Sequence, residues 1–137
     1  MVKAEVRINR PCRIVWDYFT NPENWKKWTG GSFRLVPPRW EEGATIVWER
    51  GPPSKILRAV PQKEILIDSP YLRTTFRFTP LDDCSTLIEQ EFSAQRGAYF
   101  SDGGLEYKAK ESSRLAKLKQ CVESETVEKD RRDTRNE

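Results

Sequence analysis

Between residues 32 and 94 the chain is cut by proline, glycine and acidic turn residues about once every ten positions. This punctuation constrains the fold more than any other feature. Proline lacks the amide donor that a central strand must supply, and glycine adopts turn conformations closed to other residues. The breaks are Pro37-Pro38, Glu41-Glu42-Gly43, Gly51-Pro52-Pro53, Pro61, Pro70 and the stretch from Pro80 to Asp83. Between them lie short apolar and β-branched runs at residues 32–36, 44–49, 55–60, 64–68, 72–79 and 86–94. Such a rhythm predicts six strands in an antiparallel meander. Alternation puts Ile46 with Trp48, Phe76 with Phe78, and Ile88 with Phe92 on one inner face. Thr74 and Gln90 share that parity, where a polar group is costly unless a neighbour, water or a ligand satisfies it.

The flanks supply three helices and one more strand. Val2, Ala4, Val6 and Ile8 alternate with Lys3, Glu5, Arg7 and Asn9, which predicts a first strand with one buried face. Pro11 ends it and suits the opening of a helix that carries Ile14, Val15, Tyr18 and Phe19 on one side. Asn21-Pro22 restarts the chain as a cap followed by a first helical residue, Trp25 and Trp28 share one side, and Gly30-Gly31 stops it. Ser101 or Asp102 would cap a long helix that runs to about Val122. Its expected inward stripe is Leu105, Ala109, Ser112, Ala116 and Lys119, widened by Leu115, Leu118 and Val122. Residues 123–137 lose apolar periodicity and read as a charged tail, a frayed helix or disordered. The expected division is therefore a domain at 1–122 and a tail at 123–137.

A long helix must bury its stripe, and the large apolar surface available is the inner face of the sheet. Seven twisted antiparallel strands curl around such a rod. Small residues facing the sheet would leave a gap, either filled by aromatics or kept for a ligand.

Composition narrows the chemistry. Charged residues make up 33% and apolar ones 36%, and the net charge is +3. The basic excess is spread over the body of the chain, because residues 123–137 hold four basic and six acidic side chains. Nucleic-acid binding is not expected from that distribution. No apolar run approaches the roughly 20 residues of a membrane span, and the opening residues lack a signal-peptide core, so a cytoplasmic protein without membrane insertion is the expectation. The sequence has no histidine, which removes the commonest general base and metal ligand. Cys12, Cys84 and Cys121 have no CxxC spacing and no matching base. Glu41-Glu42 and Asp82-Asp83 are adjacent turn carboxylates without the spacing of a calcium loop. No metal and no cofactor are expected. Lys110, Arg114 and Lys117 align on one helix face and read as its solvated back. Glu64, Asp68, Glu89, Glu91, Tyr71 and Tyr99 are the candidates for acid/base work, with Glu89 and Glu91 turned outward by strand parity.

The sequence "PCRIVWDYFTNPENWKKW", with Pro11, Val15, Trp16, Asn21, Pro22, Trp25 and Trp28, followed by "PRWEEGATIVWE", the meander and the terminal helix, resembles the START-like superfamily, also called SRPBCC. That group includes polyketide cyclase/dehydrase and lipid-transport proteins. The resemblance spans about residues 2–122 and implies an α+β helix-grip fold. In that fold a curved seven-stranded antiparallel sheet wraps a long C-terminal helix, and two short helices lie between strands 1 and 2. It also implies an apolar cavity for a hydrophobic or amphipathic small molecule, such as a lipid, polyketide or isoprenoid. The expected lining is Trp28, Phe33, Trp48, Phe76, Phe78, Phe92, Tyr99 and Phe100, with Ala109, Ser112 and Ala116 from the terminal helix. Gln90, Thr74 or Tyr99 would orient the ligand's polar end, while Trp16 and Trp40 pack structurally. One fold hosts many activities, so two alternatives stay open. One is a cyclase/dehydratase-like enzyme that uses a tyrosine or carboxylate. The other is a protein-interaction module of the heat-shock ATPase activator type. A monomer or homodimer is expected.

Overall fold

The computed structural model describes the backbone of residues 2–135 and the side chains of residues 2–125. The elements follow the expected order: β1 (Val2–Ile8), α1 (Cys12–Phe19), α2 (Pro22–Thr29), β2 (Phe33–Val36), β3 (Thr45–Trp48), β4 (Ser54–Val60), β5 (Glu64–Asp68), β6 (Leu72–Asp82), β7 (Ser85–Ala94) and α3 (Leu105–Arg135). All seven strands form one sheet in the order β1-β7-β6-β5-β4-β3-β2, with antiparallel neighbours throughout. The first strand thus completes the meander by pairing with the last, Val2 opposite Phe92 and Ile8 opposite Thr86. This is the α+β helix-grip arrangement.

Local chemistry explains each boundary. Pro11 is the N-cap residue of α1, with extended backbone. Asn21 Oδ1 accepts the Glu23 amide at 3.1 Å and Pro22 follows at the first helical position. Gly30 closes α2 at φ +78°, the left-handed conformation that glycine adopts without strain. Of the two expected caps for α3, Asp102 serves, accepting the amides of Gly104 and Glu106, each at 2.9 Å. Those donors, Glu106 first, hold its carboxyl below the usual carboxylate range.

Two expectations about elements are corrected. The break at Pro80 does not end β6: the strand continues to Asp82, with a register shift between Pro80 and Asp82. A bulge relieves the missing donor, which is where proline is tolerated inside a ladder. The second correction concerns the phase of α3. Among its described side chains the buried ones are Glu111, Leu115, Leu118 and Val122, preceded by buried Gly104. Leu105 is 72% exposed, and Ala109 and Ala116 face solvent. The large apolar residues outweigh the small ones in fixing which side turns inward.

Phe19 is the hub of the core. It is fully buried, with ring centroids 4.9–5.7 Å from Trp25, Trp28, Phe76 and Phe78. Trp16 stacks edge-on against Phe78 at 5.0 Å, and Trp40 hydrogen-bonds the Thr20 carbonyl at 2.7 Å, so both pack structurally. On the outer face, ion pairs bind Glu89 to Lys3 and Glu91 to Arg77. Helix α3 runs unbroken past residue 123, with Glu125 paired to Lys27 at 2.7 Å. The expected charged tail otherwise falls on residues 126–137, whose side chains lie outside the described residues. Among the described residues no helix is long and apolar enough to cross a membrane.

Candidate ligand cavity

A cavity of about 410 Å³ opens between α2, the concave face of the sheet and the first half of α3. Two helices and three strands set most of its walls. Helix α2 contributes Trp25 and Trp28, three residues apart and therefore on one side. Strands β5 and β6 contribute Ile67, Leu72, Thr74 and Phe76, and the β3 end contributes Trp48. Helix α3 closes the opposite side with Tyr107, Glu111 and Arg114.

The polar part is a chain of three side chains. Gln90, 3% exposed on β7, donates from Nε2 to Glu111 Oε2 at 3.1 Å. Arg114 donates from its guanidinium to Glu111 Oε1 at 2.8 Å. Glu111 is 4% exposed and Arg114 is one third exposed at the cavity edge. A buried carboxylate persists because it is paired and hydrogen-bonded on both oxygens. Beside it, burial pushes the Tyr107 hydroxyl up to about 12, with the Glu111 charge adding to the effect. Tyr107 is therefore a neutral hydrogen-bond donor at physiological pH. A second polar strip lies across the cavity. Trp48 Nε1 donates to Ser54 Oγ at 2.8 Å, and Ser54 Oγ lies 2.7 Å from Ser69 Oγ.

Of the expected lining residues, the structure brings Trp28, Trp48, Thr74, Phe76 and Gln90 together around this space. Phe33 stands behind the wall, 5.1 Å from Trp25 and 5.3 Å from Trp48. Phe78 belongs to the packed end with Trp16 and Phe19. Phe92 and Phe100 pack on Tyr107 under the start of α3. Tyr99 is 82% exposed and does not line the cavity. Ala109, Ser112 and Ala116 are also outside it, because α3 is rotated relative to the expected stripe. The gap therefore comes from a polar and aromatic helix face, not from small residues. Arg114 does not belong to a solvated back either; Lys110 and Lys117 do.

Sequence reasoning missed Glu111, Tyr107, Arg114 and Trp25 as lining residues. The signal for the first was present. Stepping back from Val122, Leu118 and Leu115 in threes and fours lands on residue 111. Asp68, one of the carboxylates singled out, serves instead as a strap. It accepts from Gln95 Nε2 at 2.7 Å and pairs with Arg96 and Arg73 at 3.0 and 3.4 Å. Gln95 and Arg96 also donate to the Ser69 carbonyl, fastening the loop after β7 beside the cavity. Among the described residues no cluster of three or more Cys, Asp or Glu is placed to hold a metal ion.

Solved structures share this architecture. CalU16 from Micromonospora echinospora matches with a TM-score of 0.67 at 20% identity, over 86% of this chain and 71% of that one. DynU16, from the dynemicin biosynthetic locus, matches with a TM-score of 0.72 at 17% identity, over 89% of this chain and 46% of that one. The di-domain ARO/CYC StfQ of the steffimycin biosynthetic pathway matches with a TM-score of 0.70 at 15% identity, over 95% and 47%. The fold is common to all of them. The chain spans about half the length of DynU16 and StfQ. No family model and no curated protein matches the sequence.

Proposed function

We propose that the protein binds a hydrophobic or amphipathic small molecule in the cavity between α2, the sheet and α3. The observation that carries this reading is the cavity itself: about 410 Å³, walled by Trp25, Trp28, Trp48 and Phe76 and backed by one buried polar chain. Pockets of this size and character suit ligands of two or three fused rings or a folded acyl chain. Burial of ligand surface at about 25 cal/mol per Å² supplies the affinity, and the polar chain sets the orientation. The likeness to a protein of the dynemicin biosynthetic locus and to the ARO/CYC of the steffimycin biosynthetic pathway agrees with such a ligand, as fold-level analogy.

Three indoles in the wall make the test direct. Titration with anilinonaphthalene sulfonate is expected to quench tryptophan emission saturably, and an unlabelled ligand is expected to reverse it. Native mass spectrometry of the purified protein is the companion measurement. An absence of quenching across fatty acids, isoprenoids and polycyclic aromatics would overturn the reading. Glu111 and Tyr107 favour a second reading, turnover of the bound molecule by a carboxylate and a phenol in the same space. A mass change of a bound ligand that is lost in Glu111→Gln would support it, and a ligand returned unaltered would argue for binding alone.

A further inference from the structure

Two polar atoms in the cavity wall have no hydrogen-bond partner in the protein: Trp28 Nε1 and Gln90 Oε1. Their residues are 4% and 3% exposed. Three other indoles are satisfied: Trp25 donates to the Phe19 carbonyl at 2.6 Å, Trp40 to Thr20 and Trp48 to Ser54. Buried polar groups left unpaired are rare and costly, so each asks for an explanation.

The orientation of Gln90 follows from its neighbour. A carboxylate accepts and does not donate, so the amide NH₂ must face Glu111 Oε2 and the carbonyl must face away. Arg114 holds the other Glu111 oxygen and fixes the carboxylate in turn. Gln90 Oε1 is thus locked as an acceptor, and Trp28 Nε1 can only donate. Both atoms are sealed by neighbouring wall atoms, so engaging them requires a small side-chain adjustment. The broad terminal torsion of a glutamine permits that for Gln90.

We propose that the cavity selects a ligand carrying a hydroxyl or N–H group, donated to Gln90 Oε1, together with a carbonyl-type oxygen that accepts from Trp28 Nε1. The inference rests on ligand binding in this cavity and adds the chemistry of the ligand. Gln90 is the specificity-determining residue. A ligand that lacks the donor leaves the carbonyl unpaired, and sites built to hydrogen-bond a hydroxyl discriminate strongly against its absence.

The probes are a naphthalene with a hydroxyl and an acetyl group at opposite ends, its methyl ether, and the hydroxynaphthalene without the acetyl group. Dissociation constants come from tryptophan quenching and calorimetry. In the unaltered protein the hydroxyl probe is expected to bind at least about tenfold tighter than the methyl ether. Gln90→Met is expected to abolish that preference while leaving binding of the ether within about threefold. Trp28→Phe is expected to remove the preference for the acetyl-bearing probe and keep that for the hydroxyl. Equal binding of hydroxyl and ether by the unaltered protein overturns this inference, with water satisfying Gln90, and leaves ligand binding standing. Binding of none of the probes, with none of the broader panel, overturns both. The unaltered-protein comparison decides the matter even if a variant fails to fold.

Discussion

Gly104→Ala is the sharpest test of how α3 is seated against β1. Gly104 is buried at φ +89°, and a Cβ there would lie well inside van der Waals contact of Val2 Cγ2, with Val2 Cβ at 3.4 Å and Cγ1 at 3.5 Å. Two penalties arise. The left-handed conformation costs an L-residue roughly 1–2 kcal/mol. Overpacking against a β-branched side chain with one stiff torsion adds about 1–3 kcal/mol. The total is about 2–5 kcal/mol, or a melting temperature lower by on the order of 10 °C for a chain of this length. Urea denaturation of four proteins separates the terms: the unaltered chain, Gly104→Ala, Val2→Ala and the double variant. Val2→Ala removes the clashing methyls, so the double variant is expected to recover about 1–3 kcal/mol relative to additivity and to retain the strain part. A Gly104→Ala variant within about 0.5 kcal/mol of the unaltered protein, or strict additivity, would refute the reasoning.

The remaining predictions concern the polar groups at the cavity and its strap. Arg114→Met leaves Glu111 buried without its cation and is expected to cost about 3–5 kcal/mol. Glu111→Leu strands the Gln90 NH₂ alone, since Arg114 reaches water from its one-third-exposed position, and is expected to cost about 1–3 kcal/mol by the same melts. The reverse order would show that the arginine, not the carboxylate, is the costly partner. For Asp68, hydrogen bonds from Gln95 and Arg96 hold the carboxyl below its ordinary value. Its contribution is therefore fully present above the unfolded value near pH 4 and is lost as pH falls through the lower folded one. Asp68→Asn is expected to flatten stability across that acid range and to raise amide exchange at residues 95–98. An unchanged acid limb and unchanged exchange would rule the strap out.

Most of the architecture was legible because it rests on local chemistry. Proline and glycine mark the turns, Asn21-Pro22 marks a helix start, and period-two alternation assigns Thr74, Phe76 and Gln90 to the inner face. Strand parity alone thus placed the centre of the cavity floor. The helix was harder. A helical face can be drawn through Ala109, Ser112 and Ala116 or through Glu111, Leu115 and Leu118, some 100° apart per residue of shift. The outcome depends on which set buries more apolar surface, and treating small residues as inward obscured a buried glutamate. Tyr99 illustrates a different limit: its position depends on how Asp68, Gln95 and Arg96 fasten the preceding loop, and no pattern in the sequence encodes those three contacts. Trp25 was read correctly as sharing a side with Trp28, yet its place in the cavity wall depends on how α2 docks against the sheet.

The pairing of β1 with β7 has a consequence for how the molecule comes into being. During synthesis β1 emerges before the other strands of the sheet, yet its hydrogen-bonding neighbour, with Val2 set opposite Phe92, is made some ninety codons later. Until then its amides and apolar face have no ladder to join, and α3, which packs along β1, emerges later still. Pairings so distant along the chain close late and slowly. This domain must therefore be almost fully synthesised before its sheet can be sealed, and β1 is the strand that a holding chaperone would have the longest time to meet.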